Sequence, residues 1–210
     1  MGRLRSFKLI PSRPPKQIID PIVGVIARTG LTPNHLSMIG FAGNVGAAVL
    51  AARGEFLWAG VAVLVFSAMD MLDGALARAT GRATKFGAVF DATLDRMSEA
   101  AVLGGLSFYF TERGQTEEAI LCFAALAASL LVSYVRAHAL SQGLNIQDGL
   151  FTRAVRVILL AVVLMIDQVR IGLWILAVLT SATVVQRIYV AWKMLPNDPS
   201  PDQPRKDQEP

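Results

Sequence analysis

Four carboxylates and one guanidinium fall at helical spacings within a short stretch of an otherwise apolar chain: Asp70, Asp73, Gly74, Ala77 and Arg78, then Gly87, Asp91 and Asp95. Asp70 and Asp73 are three residues apart and Asp91 and Asp95 four apart, so each pair shares one helix face. Ionisable groups inside apolar segments are costly to bury and mark functional positions. Clustered carboxylates repel one another, and a divalent cation removes that repulsion. Hard oxygen donors select Mg²⁺, Mn²⁺ or Ca²⁺ over soft metals. Gly74 and Gly87 stand in helical stretches, where glycine costs about 1 kcal/mol relative to alanine. Their presence argues for the close approach of a ligand or a facing helix. Ala75 and Ala77 continue that face, and Arg78 offers a planar fork matched to phosphate oxygens. The set predicts a metal-assisted cleft for a diphosphate ester. A plain helix-packing interface would also use small residues, but it would leave at least two of the acids unpaired.

A second group of cations lies in the other half of the chain: Arg136 in SYVRAH, Arg153 and Arg156 in TRAVR, and Arg187 in VVQRIY. Arg153 and Arg156 share a helix face, and the other two belong to neighbouring apolar segments. A phosphate monoester carries close to two negative charges near neutral pH and draws several cations together. The four arginines therefore predict a phosphorylated polyol as the second substrate and disfavour choline or ethanolamine. Snorkelling of long side chains to a membrane interface explains any one of them, and all four together less well. Arg82 and Lys85 border the acidic motif and read equally as anion holders or as solvated loop charges.

Positioning these groups requires two antiparallel helices joined by a turn over 79–86, which includes Gly81. Hydrophobic residues make up 53% of the 210, which places the chain among polytopic membrane proteins. Six apolar spans can be drawn, each near the roughly 20 residues a bilayer crossing needs: 33–52, 56–78, 86–110, 117–140, 153–168 and 171–192. The fold class expected is an all-α integral membrane protein of six transmembrane helices. Ahead of them, IIDPIVGVIA between Lys16 and Arg28 reads as an amphipathic helix on the membrane surface. Three regions follow: residues 1–31 as a basic leader with that helix, 32–193 as the six-helix domain, and 194–210 as a disordered tail.

Charge sets the orientation. Arg3, Arg5, Lys8, Arg13, Lys16, Arg28, Arg82, Lys85, Arg153, Arg156, Lys193, Arg205 and Lys206 fall on the side of the amino terminus, against Arg53, Arg113 and Arg170 on the other. Basic residues near span ends favour the cytoplasm, so both termini and the acidic motif are expected there, with the protein in the cell membrane. The net charge of +4 forms no basic stripe, which argues against nucleic acid as a partner. The single Cys122 excludes an internal disulfide and a cysteine-based zinc site. A cation channel would need polar residues continuing through the membrane, whereas spans two and three turn apolar within about two turns of the acids. A non-catalytic lipid-binding scaffold would have no need of the full acid set.

The motif Asp70-Asp73-Gly74-Ala77-Arg78-Gly87-Asp91-Asp95 resembles the signature of the CDP-alcohol phosphotransferases at every fixed position and spacing, and the resemblance covers roughly residues 20–193. It implies a membrane enzyme that moves a phosphatidyl-type group from a CDP-linked lipid to an alcohol and releases CMP. By position it implies Asp70, Asp73 and Asp91 as metal ligands, with Asp95 both a ligand and the general base. The metal would be Mg²⁺ or Mn²⁺, with two ions per site. Asn34, His35, Leu36, Ser37, Gly74, Ala77, Arg78, Thr84 and Gly87 would line the CDP-lipid site. SYVRAH, R-x-x-R and the later Q-R resemble the inositol-phosphate branch of the family, which implies CDP-diacylglycerol or an analogous CDP-lipid as donor and inositol 1-phosphate as acceptor. Phosphatidylglycerophosphate synthases, whose acceptor is glycerol 3-phosphate, are the competing branch. The resemblance also implies a homodimer.

Overall fold

The computed structural model describes residues 16–28, 30–144 and 151–195. The leader up to residue 15 and the tail from 196 lie outside the described residues. Every regular element among the described residues is a helix: α1 (Lys16–Arg28), α2 (Pro33–Ala52), α3 (Phe56–Ala79), α4 (Lys85–Glu112), α5 (Thr116–Ser141), α6 (Arg153–Met165) and α7 (Val169–Met194).

The two helices that open onto the site begin with the same device. Thr32 is extended, its hydroxyl accepts from the backbone N–H of His35 at 3.3 Å, and Pro33 occupies the first turn, where it gives up no helical hydrogen bond. Thr84 caps α4 likewise, accepting from the N–H of Gly87 at 2.9 Å. Between α3 and α4, Gly81 takes a positive φ of 67°, and the chain reverses there.

α2 packs against both α3 and α4, α4 against α5, α5 against α7, and α3 against α6, while α1 rests on α3. Small side chains let the backbones approach: Ala47, Ala51, Ala59 and Ala161 are fully buried among Leu106, Leu164 and Leu173. At Gly40 a Cβ would overlap the Asp70 carboxylate and stand 3.1 Å from the Phe66 carbonyl oxygen. The absence of a side chain on α2 therefore sets where Asp70 of α3 can lie. In α1, Val23 is buried while Val25 is exposed.

Among the described residues, α2, α3, α5 and α7 have both the length and the apolarity to cross a bilayer, the mark of a membrane protein. The six spans expected from the sequence correspond to α2–α7, but two of those helices differ in kind from the rest. α4 has 28 residues yet carries Asp91, Asp95, Arg96 and Glu99 along its length. α6 has 13 residues, against the 16 expected, and at 1.5 Å per residue it is about 20 Å long. It stops at Met165 because Asp167 turns left-handed, with φ of 56°, and a helix does not continue through that conformation.

Candidate active site

α3 and α4 both pack against α2 on either side of the turn over 80–84, and their acid side chains reach towards each other across the space between them. Asp91 lies within hydrogen-bonding reach of Asp73, and Asp95 within reach of Asp70. Asp73 is buried and accepts from the Ser37 hydroxyl of α2. Asp70 and Asp95 share a cation from α6: Arg153 Nη2 is 3.0 Å from Asp70 Oδ2 and 2.6 Å from Asp95 Oδ1. Among the described residues no three acidic, histidine or cysteine side chains converge as a ready-made metal cage. The donor set nonetheless fits a hard divalent cation, because four carboxylates on two facing helices offer only oxygen ligands.

Two pockets adjoin this cluster. The first, of about 250 Å³, is lined by Pro33, Asn34 and Ser37 of α2, by Asp73, Gly74, Ala77 and Arg78 of α3, by Arg82, Ala83 and Thr84 of the turn, and by Gly87, Ala88 and Asp91 of α4. Of the residues expected around a CDP group, it gathers Asn34, Ser37, Gly74, Ala77, Arg78, Thr84 and Gly87. A Cβ on Gly87 would stand 3.0 Å from Thr84 Oγ1 and 3.5 Å from Asn34 Oδ1, filling the gap between the two capped helix starts. Two expected residues do not join. Leu36 is 2% exposed and belongs to the core, and His35 points to the exposed side of α2. Each helical residue turns about 100° from the last, so a run of four cannot face one pocket. Arg82 lines the pocket, while Lys85 does not.

The second pocket, of about 830 Å³, lies between α4, α5, α6 and α7 and is lined by Arg96, Arg136, Arg153, Arg156 and Arg187 with Thr93, Ser133 and Tyr134. The four arginines singled out in the sequence thus meet, although they do not have equal freedom. Arg136 is exposed. Arg187 is buried, with Nη1 donating to the Val132 carbonyl at 2.7 Å. Arg156 is 3% exposed and committed elsewhere. Its Nε donates to Glu99 Oε1 at 2.8 Å and its Nη2 to Glu99 Oε2 at 3.2 Å and Ser129 Oγ at 3.0 Å, while Nη1 donates to the Phe151 carbonyl at 3.3 Å. Arg156, expected to hold a phosphate alongside Arg153, lines the same pocket and is at the same time a strut joining α4, α5 and α6. The reason is the acid at Glu99, with which the buried guanidinium pairs.

Sequence reasoning missed Glu99 and Arg96. Both follow Asp95 in DRMSEA, three residues apart on α4. An acid in an apolar helix demands a partner, and that signal was available. The identity of the partner, 57 residues away, was not.

A protein-family model described as CDP-alcohol phosphatidyltransferase matches residues 30–190, which takes in α2 through most of α7 and both pockets. The phosphatidylinositol phosphate synthase of Mycobacteroides abscessus is 35% identical over 196 residues, covering 86% of this chain and 89% of that one. The archaetidylinositol phosphate synthase of Pyrococcus horikoshii is 36% identical over 186 residues, covering 86% and 94%. In three dimensions the chain is similar to the crystal structure of Mycobacterium tuberculosis phosphatidylinositol phosphate synthase with CDP-DAG bound, at a TM-score of 0.77 and 33% identity over 84% of this chain and 94% of that one. It is also similar to that protein in complex with manganese and citrate, at a TM-score of 0.74 and 33% identity over 82% and 88%. The chain belongs to the CDP-alcohol phosphatidyltransferase family and is an enzyme, a transferase of phospholipid biosynthesis.

Proposed function

We propose that this enzyme transfers a phosphatidyl group from CDP-diacylglycerol to a hydroxyl of inositol phosphate and releases CMP. One observation carries the reading: Arg153 touches Asp95 and Asp70 and also lines the arginine pocket. An acid able to take a proton and a pocket able to hold an anionic alcohol therefore meet at one side chain. The CDP-DAG-bound M. tuberculosis enzyme supports the donor, and the phosphatidylinositol and archaetidylinositol phosphate synthases among the relatives support the acceptor.

The reaction is a displacement at phosphorus. The acceptor hydroxyl oxygen attacks the lipid-side phosphorus of the diphosphate. The bond from that phosphorus to the bridging oxygen breaks, and CMP leaves with the electron pair. Asp95 accepts the hydroxyl proton as general base. Gly74, Ala77, Arg78, Thr84 and Gly87, with Asn34 and Ser37, hold the CDP portion in the smaller pocket. Arg136, Arg153 and Arg187 hold the acceptor phosphate in the larger one, which Arg156, held by Glu99, also lines. Asp70, Asp73, Asp91 and Asp95 are the residues that would hold Mg²⁺ or Mn²⁺, two ions per site, a choice supported by the manganese in the M. tuberculosis structure. Bound there, such ions would neutralise charge on the diphosphate.

The same reading takes α2–α7 as six membrane spans and lays α1 on the cytoplasmic surface. It places both pockets and both termini on the cytoplasmic side of the cell membrane, following the basic residues, and it takes a homodimer as the working unit on the family resemblance.

The test is CMP release from purified protein with CDP-diacylglycerol and Mg²⁺, comparing inositol 1-phosphate with glycerol 3-phosphate. Turnover with inositol 1-phosphate that stops on chelation of the metal is the expected result. Turnover with glycerol 3-phosphate alone would retain the mechanism and move the acceptor to the phosphatidylglycerophosphate branch.

A further inference from the structure

We infer that Arg96, rather than Arg156, completes the guanidinium set that grips the acceptor phosphate. The inference rests on reading the arginine pocket as the acceptor site and adds a residue that neither the acidic motif nor the R-x-x-R pair points to.

Glu99 is a nearly buried acid on α4, one turn beyond Arg96. Its two oxygens are taken up by Arg156 and by the Ser129 hydroxyl, which donates to Oε2 at 2.6 Å. Arg96 approaches the same carboxylate from one turn earlier on α4, but only to 3.9 Å, outside hydrogen-bonding distance. Its Nη1, the atom nearest Glu99, is buried and makes no hydrogen bond, while the side chain as a whole is 26% exposed and lines the arginine pocket. Buried donors are almost always satisfied, and one that is not costs about 1–3 kcal/mol. A guanidinium so placed has a task that an anion would complete.

Glu99 thus sorts the two arginines. Arg156 is hydrogen-bonded to that carboxylate through two nitrogens, whereas Arg96 makes no hydrogen bond to it, and both arginines line the pocket. The side chains on the same stretch of α4, Ala88 and Ala92, are small and leave that space open. Arg153, which lies 2.6 Å from Asp95, lines the same pocket as Arg96, so a phosphate held between the two arginines stands close to the base.

The experiment uses the full-length enzyme in detergent with whichever phosphomonoester alcohol it turns over. KM is measured separately for acceptor and for CDP-diacylglycerol, and inorganic phosphate serves as an inhibitor competing with the acceptor. In Arg96→Gln the acceptor KM rises about tenfold and inhibition by phosphate weakens by a similar factor, as expected for one charge-assisted hydrogen bond. The KM for CDP-diacylglycerol stays within about twofold, and Arg96→Lys, which keeps the charge without the fork, falls between. If Arg96→Gln does not fold, Arg96→Lys decides through the same two constants. Acceptor KM and phosphate inhibition both unchanged from wild type would overturn the inference while leaving the acceptor pocket intact. A wild-type enzyme that uses only non-phosphorylated alcohols and is indifferent to phosphate would overturn the pocket reading itself, and Arg96 with it.

Discussion

Arg153 Nη2 of α6 lies 2.6 Å from Asp95 Oδ1 of α4, and the same nitrogen reaches Asp70 Oδ2 of α3 at 3.0 Å. A single cation from 83 residues further along the chain thus compensates two acids that belong to different helices and different halves of the motif. Two mostly buried carboxylates sharing one site need such a partner, and the partner lines the arginine pocket.

Replacing Arg153 with Gln removes that compensation. We expect CMP release to fall by at least about 100-fold, the usual cost of losing a fixed charge at a reacting centre. Arg153→Lys should recover part of the loss, since it keeps the charge without the fork. Steady-state rates with saturating donor check both, and equal rates for Gln and wild type would remove Arg153 from the site.

Asp95→Asn is nearly isosteric and cannot accept the proton. Transfer should drop by roughly 10²–10⁴-fold, while binding of CDP-diacylglycerol, followed by isothermal titration in detergent, remains. Loss of binding with the rate would show Asp95 serving mainly to hold the donor.

The Arg156–Glu99 pair predicts a stability effect. With Arg156 at 3% exposed and its carboxylate partner at 8%, removing one partner strands a buried charge at a cost of about 3–5 kcal/mol. Arg156→Met should therefore melt well below wild type, and Arg156→Met with Glu99→Leu should melt above the single variant. Thermal unfolding in one detergent compares the three. A double variant no more stable than the single would mean the pair is not a strut.

Gly40→Ala tests the seating of Asp70 without touching an acid. The new methyl would press on the Asp70 carboxylate and the Phe66 carbonyl, and overpacking of this kind costs about 1–3 kcal/mol. A fall in melting temperature together with a fall in kcat is expected. Unchanged activity would show that Asp70 tolerates displacement.

Much of this arrangement could be read from residue types. The acid pairs had to share helix faces at their spacings, Thr32-Pro33 opens α2 as such a pair should, and five of the six spans end within two residues of the helices observed. What escaped was decided by tertiary contacts or by rotation about an axis. The early stop of α6 depends on the left-handed turn at Asp167, a residue with no strong claim to that conformation. Leu36 and Ser37 are neighbours with opposite fates, one in the core and one on Asp73, because the helix turns between them. R-x-x-R looks like one two-armed clamp in sequence. In space Arg153 faces the acids and Arg156 the strut, and only the location of Glu99 separates them.

The two pockets share Ala88 as a wall; Asp73 and Asp91 line the smaller, and Arg153 of the larger reaches Asp70 and Asp95. Lipid nucleotide and alcohol can therefore be resident together, and the phosphatidyl group need never be parked on the protein. A direct exchange of this kind turns the phosphorus centre inside out once, so a donor made chiral at that atom should yield product of inverted configuration. Initial-rate plots for the two substrates should intersect rather than run parallel. The smallness of one alanine side chain is what keeps the route between the partners short.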